Sequence, residues 1–386
     1  MILISLLDVI VPKNKNNILF YSTPDVSHNS LALFIIMANN QFNKNINYIW
    51  LTNLKTNHSL FKEYLKSKMN LDQNSIKFFK KKSFIGIYTY LRSKFIFRTH
   101  GLYVGATIPK NKIVINLWHG MPMKNIDMQL NTGANQLDKF TYIIATSRFF
   151  INIFTSTFKI KHNQIKIFKQ PVTEYFFKLK KTDLMLESLF NLKRINKVFI
   201  WMPTWRIPNQ KYSIMPKNIT RKVDLIPLVK SFKELKFINK LLKKNNNYLI
   251  IKFHASDKEL SINQNDLSNI ILINDEIMVK KNLNIYEILP YTDILISDYS
   301  SIVIDYMLLK KPIVSVINKE ENYLLDIDNE MFNDVYLQEN RIYTFKKLCD
   351  LFSLKIKPKK LSKKIITKYN EIDARSINEI LKITEV

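Results

Sequence analysis

Ile294-Leu-Ile-Ser-Asp-Tyr-Ser-Ser-Ile-Val-Ile-Asp-Tyr-Met-Leu-Leu-Lys-Lys-Pro-Ile-Val314 reads as a β-α-β unit. An apolar strand from Ile294 to Ile296 runs into a polar corner, Ser297-Asp298-Tyr299-Ser300-Ser301. A helix with apolar periodicity follows to Lys310-Lys311, and a second strand opens at Pro312. Ser300 or Ser301 stands where a helix N-cap belongs, so the first-turn N–H groups point into the corner and suit an anion. Taken alone, the corner reads equally well as an ordinary capped helix in a parallel sheet.

The same alternation continues on both sides. Ile18 to Ser22, Asn47 to Leu51, Ile76 to Phe79, Phe95 to Arg98, Ile113 to Leu117 and Tyr142 to Ala145 are apolar runs of strand length. Ser30 to Gln41, Ser59 to Lys68, Ile85 to Ser93 and Arg148 to Phe158 are the helical stretches among them. A second series has strands at Val198 to Met202, Tyr248 to Phe253, Ile270 to Ile273, Ile294 to Ser297 and Ile313 to Val316. Its helices lie near Leu228 to Lys244, Ile285 to Pro290 and Ser301 to Lys310. Two blocks of β-α units predict two doubly wound parallel-sheet domains with helices on both faces. We place the boundary between about Phe177 and Lys197, giving domains at 1–180 and 195–360. A terminal helical run from Leu361 to Ile383, within 361–386, has no strand after it and is expected to cross back onto the first domain.

At 386 residues the chain exceeds what one core ordinarily supports, and 46% hydrophobic residues suffice for two. Its formal charge is +27, from 59 Lys and Arg against 32 Asp and Glu. Such a field attracts polyanions: nucleic acid, anionic lipid headgroups or a phosphate-rich polymer. Part of the Lys, Asn and Ile excess also fits an A+T-rich genome. The single cysteine, Cys349, excludes an intrachain disulfide framework and a cysteine metal cluster, and suits a reducing cytosol. Met1 to Val11 is apolar but too short to cross a bilayer, carries Asp8 and lacks the pattern of a secretion signal. Packing on the core is the expectation for it, with a membrane interface as the alternative.

The five glycines form neither G-x-G-x-x-G nor a Walker loop, so a nucleotide would be held by helix ends and side chains. No H-E-x-x-H or G-x-S-x-G supports zinc hydrolysis or serine acyl transfer, and no RNP, C2H2 or helix-turn-helix pattern supports a nucleic-acid module. Four groups instead fall at strand carboxyl ends, where open α/β sheets bind ligands. His119, in Asn116-Leu-Trp-His-Gly-Met-Pro-Met-Lys124, can accept a proton near neutral pH; a histidine that merely bonds the turn is the other reading. Arg206, closing Trp201-Met-Pro-Thr-Trp-Arg206, offers a planar fork for phosphate oxygens. Lys252 and His254 share one face of a strand end. The fourth is the Ser300/Ser301 corner. Asp326-Ile-Asp328 has the form of a metal-holding D-x-D, but lies in an acidic, Asn-rich loop and reads as solvated, so no divalent metal is expected.

These stretches resemble the CDP-glycerol glycerophosphotransferase family of teichoic-acid and capsule polyol-phosphate primases and polymerases. The family pattern Trp-His-Gly-x-Pro-x-Lys matches Trp118 to Lys124; Pro-Thr-Trp-Arg matches Pro203 to Arg206; Lys-x-His matches Lys252 to His254. Ser-Asp-Tyr-Ser-Ser with a following Asp matches Ser297 to Ser301 and Asp305. The opening loop Phe20-Tyr-Ser-Thr-Pro-Asp-Val-Ser-His-Asn29 is also similar, its Asn preceding the first helix. Three positions depart: Gln170-Pro-Val-Thr-Glu174 stands where the family has Pro-Arg-x-Asp, Ile207 replaces an acid, and Ala255 replaces a proline.

The resemblance implies a GT-B architecture, two Rossmann-like domains facing a cleft, with the nucleotide on the second and the acceptor on the first. It implies transfer of glycerol phosphate from CDP-glycerol to a hydroxyl of a surface polymer or lipid-linked acceptor, with CMP leaving. A GT-B transferase using CDP-ribitol or a nucleotide sugar is the alternative. His119 and His254 are the implied catalytic residues. Thr204, Arg206, Lys252, His254, Ser297, Asp298, Ser300 and Ser301 are the implied donor-phosphate or nucleotide ligands, and Asn29, Trp118, Gly120, Lys124 and Asp305 the acceptor-side or supporting residues. The basic charge then suits an anionic polymer and the inner face of the cell membrane.

Overall fold

The structure is a computed structural model that describes residues 1–40, 46–53, 58–69, 76–123, 138–178, 184–203, 226–253, 266–298, 300–317 and 329–371, with 380 and 382. The chain divides into two compact units. Met1–Met121, Ile126–Phe177 and Thr367–Val386 make the first; Pro122–Asn125 and Lys178–Ile366 make the second.

In the first unit the order is α1 (Ile2–Ile10), β1 (Asn14–Tyr21), α2 (His28–Asn39), β2 (Asn47–Thr52), α3 (His58–Lys68), β3 (Ile76–Lys80), α4 (Phe84–Arg92), β4 (Ser93–Arg98), β5 (Ile113–Asn116), β6 (Tyr142–Ala145), α5 (Phe150–Phe158), β7 (Ile165–Ile167) and α6 (Tyr175–Lys178). Its seven strands are ordered β3-β2-β1-β4-β5-β6-β7, and every pairing is parallel. Such a sheet is covered on both faces, which is why Ile18–Tyr21 of β1 and Phe95–Phe97 of β4 read as apolar runs. Phe20 of β1 meets Phe34 of α2 edge-on at 5.3 Å and stacks on Trp50 and Phe97 of the neighbouring strands.

The second unit contains α7 (Leu184–Phe190), β8 (Lys197–Met202), α8 (Phe232–Lys244), β9 (Asn247–Lys252), β10 (Ile270–Ile273), α9 (Asp275–Lys280), α10 (Ile285–Ile288), β11 (Ile294–Ser297), α11 (Ile302–Tyr306), β12 (Ile313–Val316), α12 (Asn329–Val335), β13 (Arg341–Ile342) and α13 (Phe345–Phe352), and α14 (Lys363–Tyr369) begins in it and ends in the first. Its six parallel strands are ordered β10-β9-β8-β11-β12-β13. Ser231 caps α8 by accepting the Glu234 N–H, and the buried face of that helix, Leu235, Ile238 and Leu242, packs with Phe199, Trp201 and Phe352. In both sheets the chain doubles back between two central strands, β1 and β4 in one and β8 and β11 in the other. Ligand crevices form at the carboxyl ends of such pairs.

Several expectations need correction. Strands β7 and β13 escape the sequence reading because they are only three and two residues long. The helix expected to run to Lys310 is α-helical only over Ile302–Tyr306; a 3-10 turn, Met307–Leu309, completes it, and Lys310 closes it at φ 55°. Of the terminal run, Lys363–Tyr369 is helical, and residues 372–379 lie outside the described ones. At its end Tyr369 packs on Phe149 at 4.8 Å and its carbonyl accepts the Thr146 hydroxyl, and beyond it Glu371 pairs with Arg148.

The opening helix is inverted relative to its expected core packing. Ile2, Leu3, Leu6, Val9 and Ile10 are exposed, while Asp8 is the residue of α1 that is buried. Its carboxylate pairs with Lys13 at 2.8 Å and with Lys112, itself buried against the face of Tyr90 at 3.9 Å. The ion pair explains the inversion: an acid placed inward meets two cations, and the apolar residues are left outside.

Candidate active site

In the first unit, β4 and β5 lie side by side, Arg98 opposite Asn116. The pairing extends one step further, because the Leu117 N–H donates to the Arg98 carbonyl at 2.7 Å. The turns Thr99-His100 and Trp118-His119 therefore leave the sheet together. Trp118 is left-handed at φ 54°, and its N–H donates to Asn116 Oδ1 at 3.0 Å. Gly120 follows at φ 117°, a conformation that a side chain disfavours. The Trp118 indole is buried edge-on against Phe154 and Phe158 of α5. With the indole fixed inward, the next residue, His119, is exposed.

His119 Nδ1 lies 3.2 Å from the Thr99 carbonyl. A carbonyl only accepts, so the neutral ring carries its proton on Nδ1 and leaves the Nε2 lone pair to take another. Protein atoms crowd the inner side of the ring, and desolvation lowers its pKa below the ordinary 6.5; the Thr99 carbonyl acts in the opposite sense. The exposed edge limits how far desolvation can act.

Asn29 holds this turn from below. It lies inside the first turn of α2, not before it, because the helix begins at His28. Its amide nitrogen donates to the carbonyls of Leu117 and Trp118 at 3.2 and 3.0 Å and to Gln170 Oε1 at 3.0 Å. Its oxygen accepts the Val172 N–H at 3.2 Å. Gln170-Pro171-Val172, where the sequence departs from the family pattern, is thus buried support for the His119 turn.

In the second unit, the Ser297 corner sits at the carboxyl end of β11, beside β8 at the point where the sheet doubles back. Ser297 is fully buried and its hydroxyl donates to the Met202 carbonyl at 2.9 Å, so it ties the two central strands together. Asp298 is also buried. Ser300 and Ser301 are half-buried. Ser301 precedes α11 in helical conformation, φ −59° and ψ −21°, without the expected side-chain cap. Lys252 ends β9 with its ammonium 2.9 Å from Asp275, at the start of α9. The sequence pattern does not disclose that partner.

Asp305 is fully buried; its Oδ2 accepts the Tyr286 hydroxyl at 2.8 Å, and its Oδ1 has no hydrogen-bond partner among the described residues. Burial pushes its pKa up to about 7, against the lowering effect of the tyrosine. Lys124, Thr204, Arg206, His254, Asp326 and Asp328 lie outside the described residues. Among the described residues, no three His, Cys, Asp or Glu side chains gather as a metal site.

His100 belongs to this site and was missed in the sequence. Its ring stacks on His119 with centroids 4.3 Å apart and planes 15° apart. A signal was present: His100-Gly101 after β4 repeats His119-Gly120 after the adjacent strand.

Two doubly wound parallel-sheet domains in one chain, each with polar groups at the carboxyl edge of its sheet, define a protein of the GT-B fold class. The chain belongs to the CDP-glycerol:poly(glycerophosphate) glycerophosphotransferase family, whose pattern it matches over residues 3–381. It is 24% identical over 332 residues to the teichoic acid poly(glycerol phosphate) polymerase of Bacillus spizizenii, covering 81% of this chain and 77% of that one. It is 24% identical over 242 residues to the teichoic acid glycerol-phosphate primase of Bacillus subtilis, covering 59% and 56%. Among solved structures it resembles the wall teichoic acid polymerase TagF, with TM-score 0.70 and 18% identity over 99% of this chain and 91% of that chain. The UDP-GlcNAc 2-epimerase of Methanocaldococcus jannaschii shares the fold more distantly, with TM-score 0.51 and 11% identity over 96% of this chain and 99% of that chain.

Proposed function

We propose that this enzyme transfers glycerol phosphate from CDP-glycerol to a hydroxyl of a cell-surface polymer or lipid-linked acceptor. The observation that carries the catalytic reading is the fixed Nδ1–H tautomer of His119 in an exposed position. The acceptor oxygen attacks the glycerol-bearing phosphorus, the bond from that phosphorus to the bridging oxygen breaks, and CMP departs with the bond's electrons. His119 Nε2 takes the hydroxyl proton. Positioned bases of this kind typically contribute about 10²- to 10⁴-fold.

On the donor side we assign Lys252, Ser300 and Ser301 to the phosphates, with Thr204, Arg206 and His254 added on sequence grounds. The pairing of Lys252 with Asp275 means that an incoming phosphate would compete with a carboxylate. Ser297 stands apart from them, its hydroxyl proton already committed to the Met202 carbonyl. CMP release from CDP-glycerol in the presence of lipid-linked or capsular acceptors tests the reading. Faster turnover of CDP-ribitol or a nucleotide sugar would replace it with the alternative donor.

The exposed apolar face of α1 supports a second element, docking on an anionic membrane at its cytoplasmic face. Phe84, Ile85 and Tyr88 of α4, which packs beside α1, are exposed too, and the exposed Lys82 precedes them. Apolar insertion and a basic surround suit a lipid interface with negative headgroups.

A further inference from the structure

We infer that His100 is the positioning residue of the base, its ring plane clamping that of His119 so that Nε2 is presented in one orientation. The inference rests on the reading of His119 as the base. Three bonds fix the pair. The Thr23 N–H, from the loop after β1, lies 3.3 Å from His100 Nδ1, and the Thr99 hydroxyl lies 2.9 Å from the same atom. An amide N–H only donates, so His100 Nδ1 is an acceptor and its neutral ring carries the proton on Nε2. The Thr99 carbonyl holds His119 Nδ1, so one buried threonine sets both rings. Trp118 lies beside His119 as well, with centroids 4.3 Å apart at 33°.

The clamp has an electrostatic side. Protonating His100 would break its bond from Thr23 and place a cation against its neighbours, so it stays a neutral plate while His119 cycles. Burial is the main cause of its low pKa, about 2, followed by His119, then His28 at the start of α2 and Arg98 at the end of β4. Arg98 is itself paired with Asp138 at 2.7 Å. A neutral plate also keeps water from one face of His119, which helps hold that imidazole in its unprotonated, proton-accepting form.

The test compares His100→Ala, which opens the face of His119 to water, with His100→Phe, which keeps a flat apolar plate. His119 is titrated by NMR through its ring C–H signal, and CMP release from CDP-glycerol is followed against pH. In His100→Ala we expect the His119 midpoint to rise toward about 6.5, the acid limb of kcat/KM to rise with it, and kcat to fall about 10-fold or more with KM for CDP-glycerol unchanged. His100→Phe should keep the wild-type midpoint and most of kcat. An unmoved His119 midpoint in His100→Ala, or the same shift and loss in both variants, overturns the inference. If His100→Ala does not fold, a wild-type midpoint and kcat in His100→Phe support the plate, and a raised midpoint or a comparable loss overturns it. Failure of the wild type to release CMP would instead overturn the functional reading, and the NMR titration would still report on the stack.

Discussion

The Asn29 amide donates to the Trp118 carbonyl at 3.0 Å, tying the first turn of α2 to the residue before the exposed histidine. The contact spans 89 residues and is buried. Replacing Asn29 by Ala leaves two strand-end carbonyls, Gln170 Oε1 and the Val172 N–H without this partner. Each buried polar group stranded in this way costs about 1 to 3 kcal/mol. Asn29→Ala should therefore lower the unfolding free energy by roughly 2 to 4 kcal/mol in urea titration. Residual CMP release should be reduced even in the fraction that stays folded, because the His119 turn loses its brace.

The acid limb of catalysis should lie below pH 6.5. A base must be unprotonated to act, and desolvation lowers the pKa of His119. Activity is thus present above that pKa and is lost as pH falls through it. At pH 6.5 more than half of the wild-type enzyme should be competent in kcat/KM measurements. His119→Ala should lose about 10²- to 10⁴-fold in kcat together with that limb. A variant with near wild-type turnover would remove the base assignment.

Asp305 makes a separate pH prediction about stability. Its folded pKa is about 7, raised by burial above an ordinary 3.8. A raised pKa means that the folded state binds the proton more tightly than the unfolded chain does. The contribution is fully present below about pH 4 and is lost as pH rises toward 7. At about 1.36 kcal/mol per pKa unit, the window is worth at most about 4 kcal/mol. Urea denaturation of Asp305→Asn between pH 4 and 7 should show a flatter slope than wild type. An identical slope would mean that Asp305 does not titrate in this range.

The sheet architecture was legible because a parallel strand covered on both faces needs apolar side chains where it is buried, and Ile18–Tyr21 of β1, Ile294–Ile296 of β11 and Ile313–Val314 of β12 meet that need plainly. Where the polar corners fall was legible too, since Ser297 and His119 end such runs. Which way their polar atoms point was not. Ser297 spends its proton on Met202, Lys252 meets Asp275 23 residues on, and Asp305 bonds Tyr286 in a neighbouring helix. Hydroxyl direction and ion pairing are set by neighbours that strand order alone brings together. The opening helix misled for a related reason. Apolar residues predict burial only until a buried charge fixes the helix face, and the partner of Asp8 is 104 residues away at Lys112.

That helix offers a test in which folding and docking separate. Leu3 and Leu6 are 67% and 59% exposed, so exchanging both for Glu removes little packing. Surface changes of this kind usually shift stability by about 0.5 kcal/mol or less each. Two new acids would nevertheless face anionic headgroups and forfeit apolar insertion. The Leu3→Glu, Leu6→Glu variant should keep the wild-type melting temperature within a few degrees and lose co-flotation with phosphatidylglycerol vesicles. Wild-type co-flotation should weaken with added salt, since exposed charges are screened over about 8 Å at physiological ionic strength. Asp8→Asn is the opposing control. It strands the buried Lys112 ammonium, a change that costs roughly 3 to 5 kcal/mol when a buried pair is broken, so it should melt earlier. If the double Glu variant floats as the wild type does, the α1 face is not what meets the membrane, and the basic surface would have to hold it through charge alone.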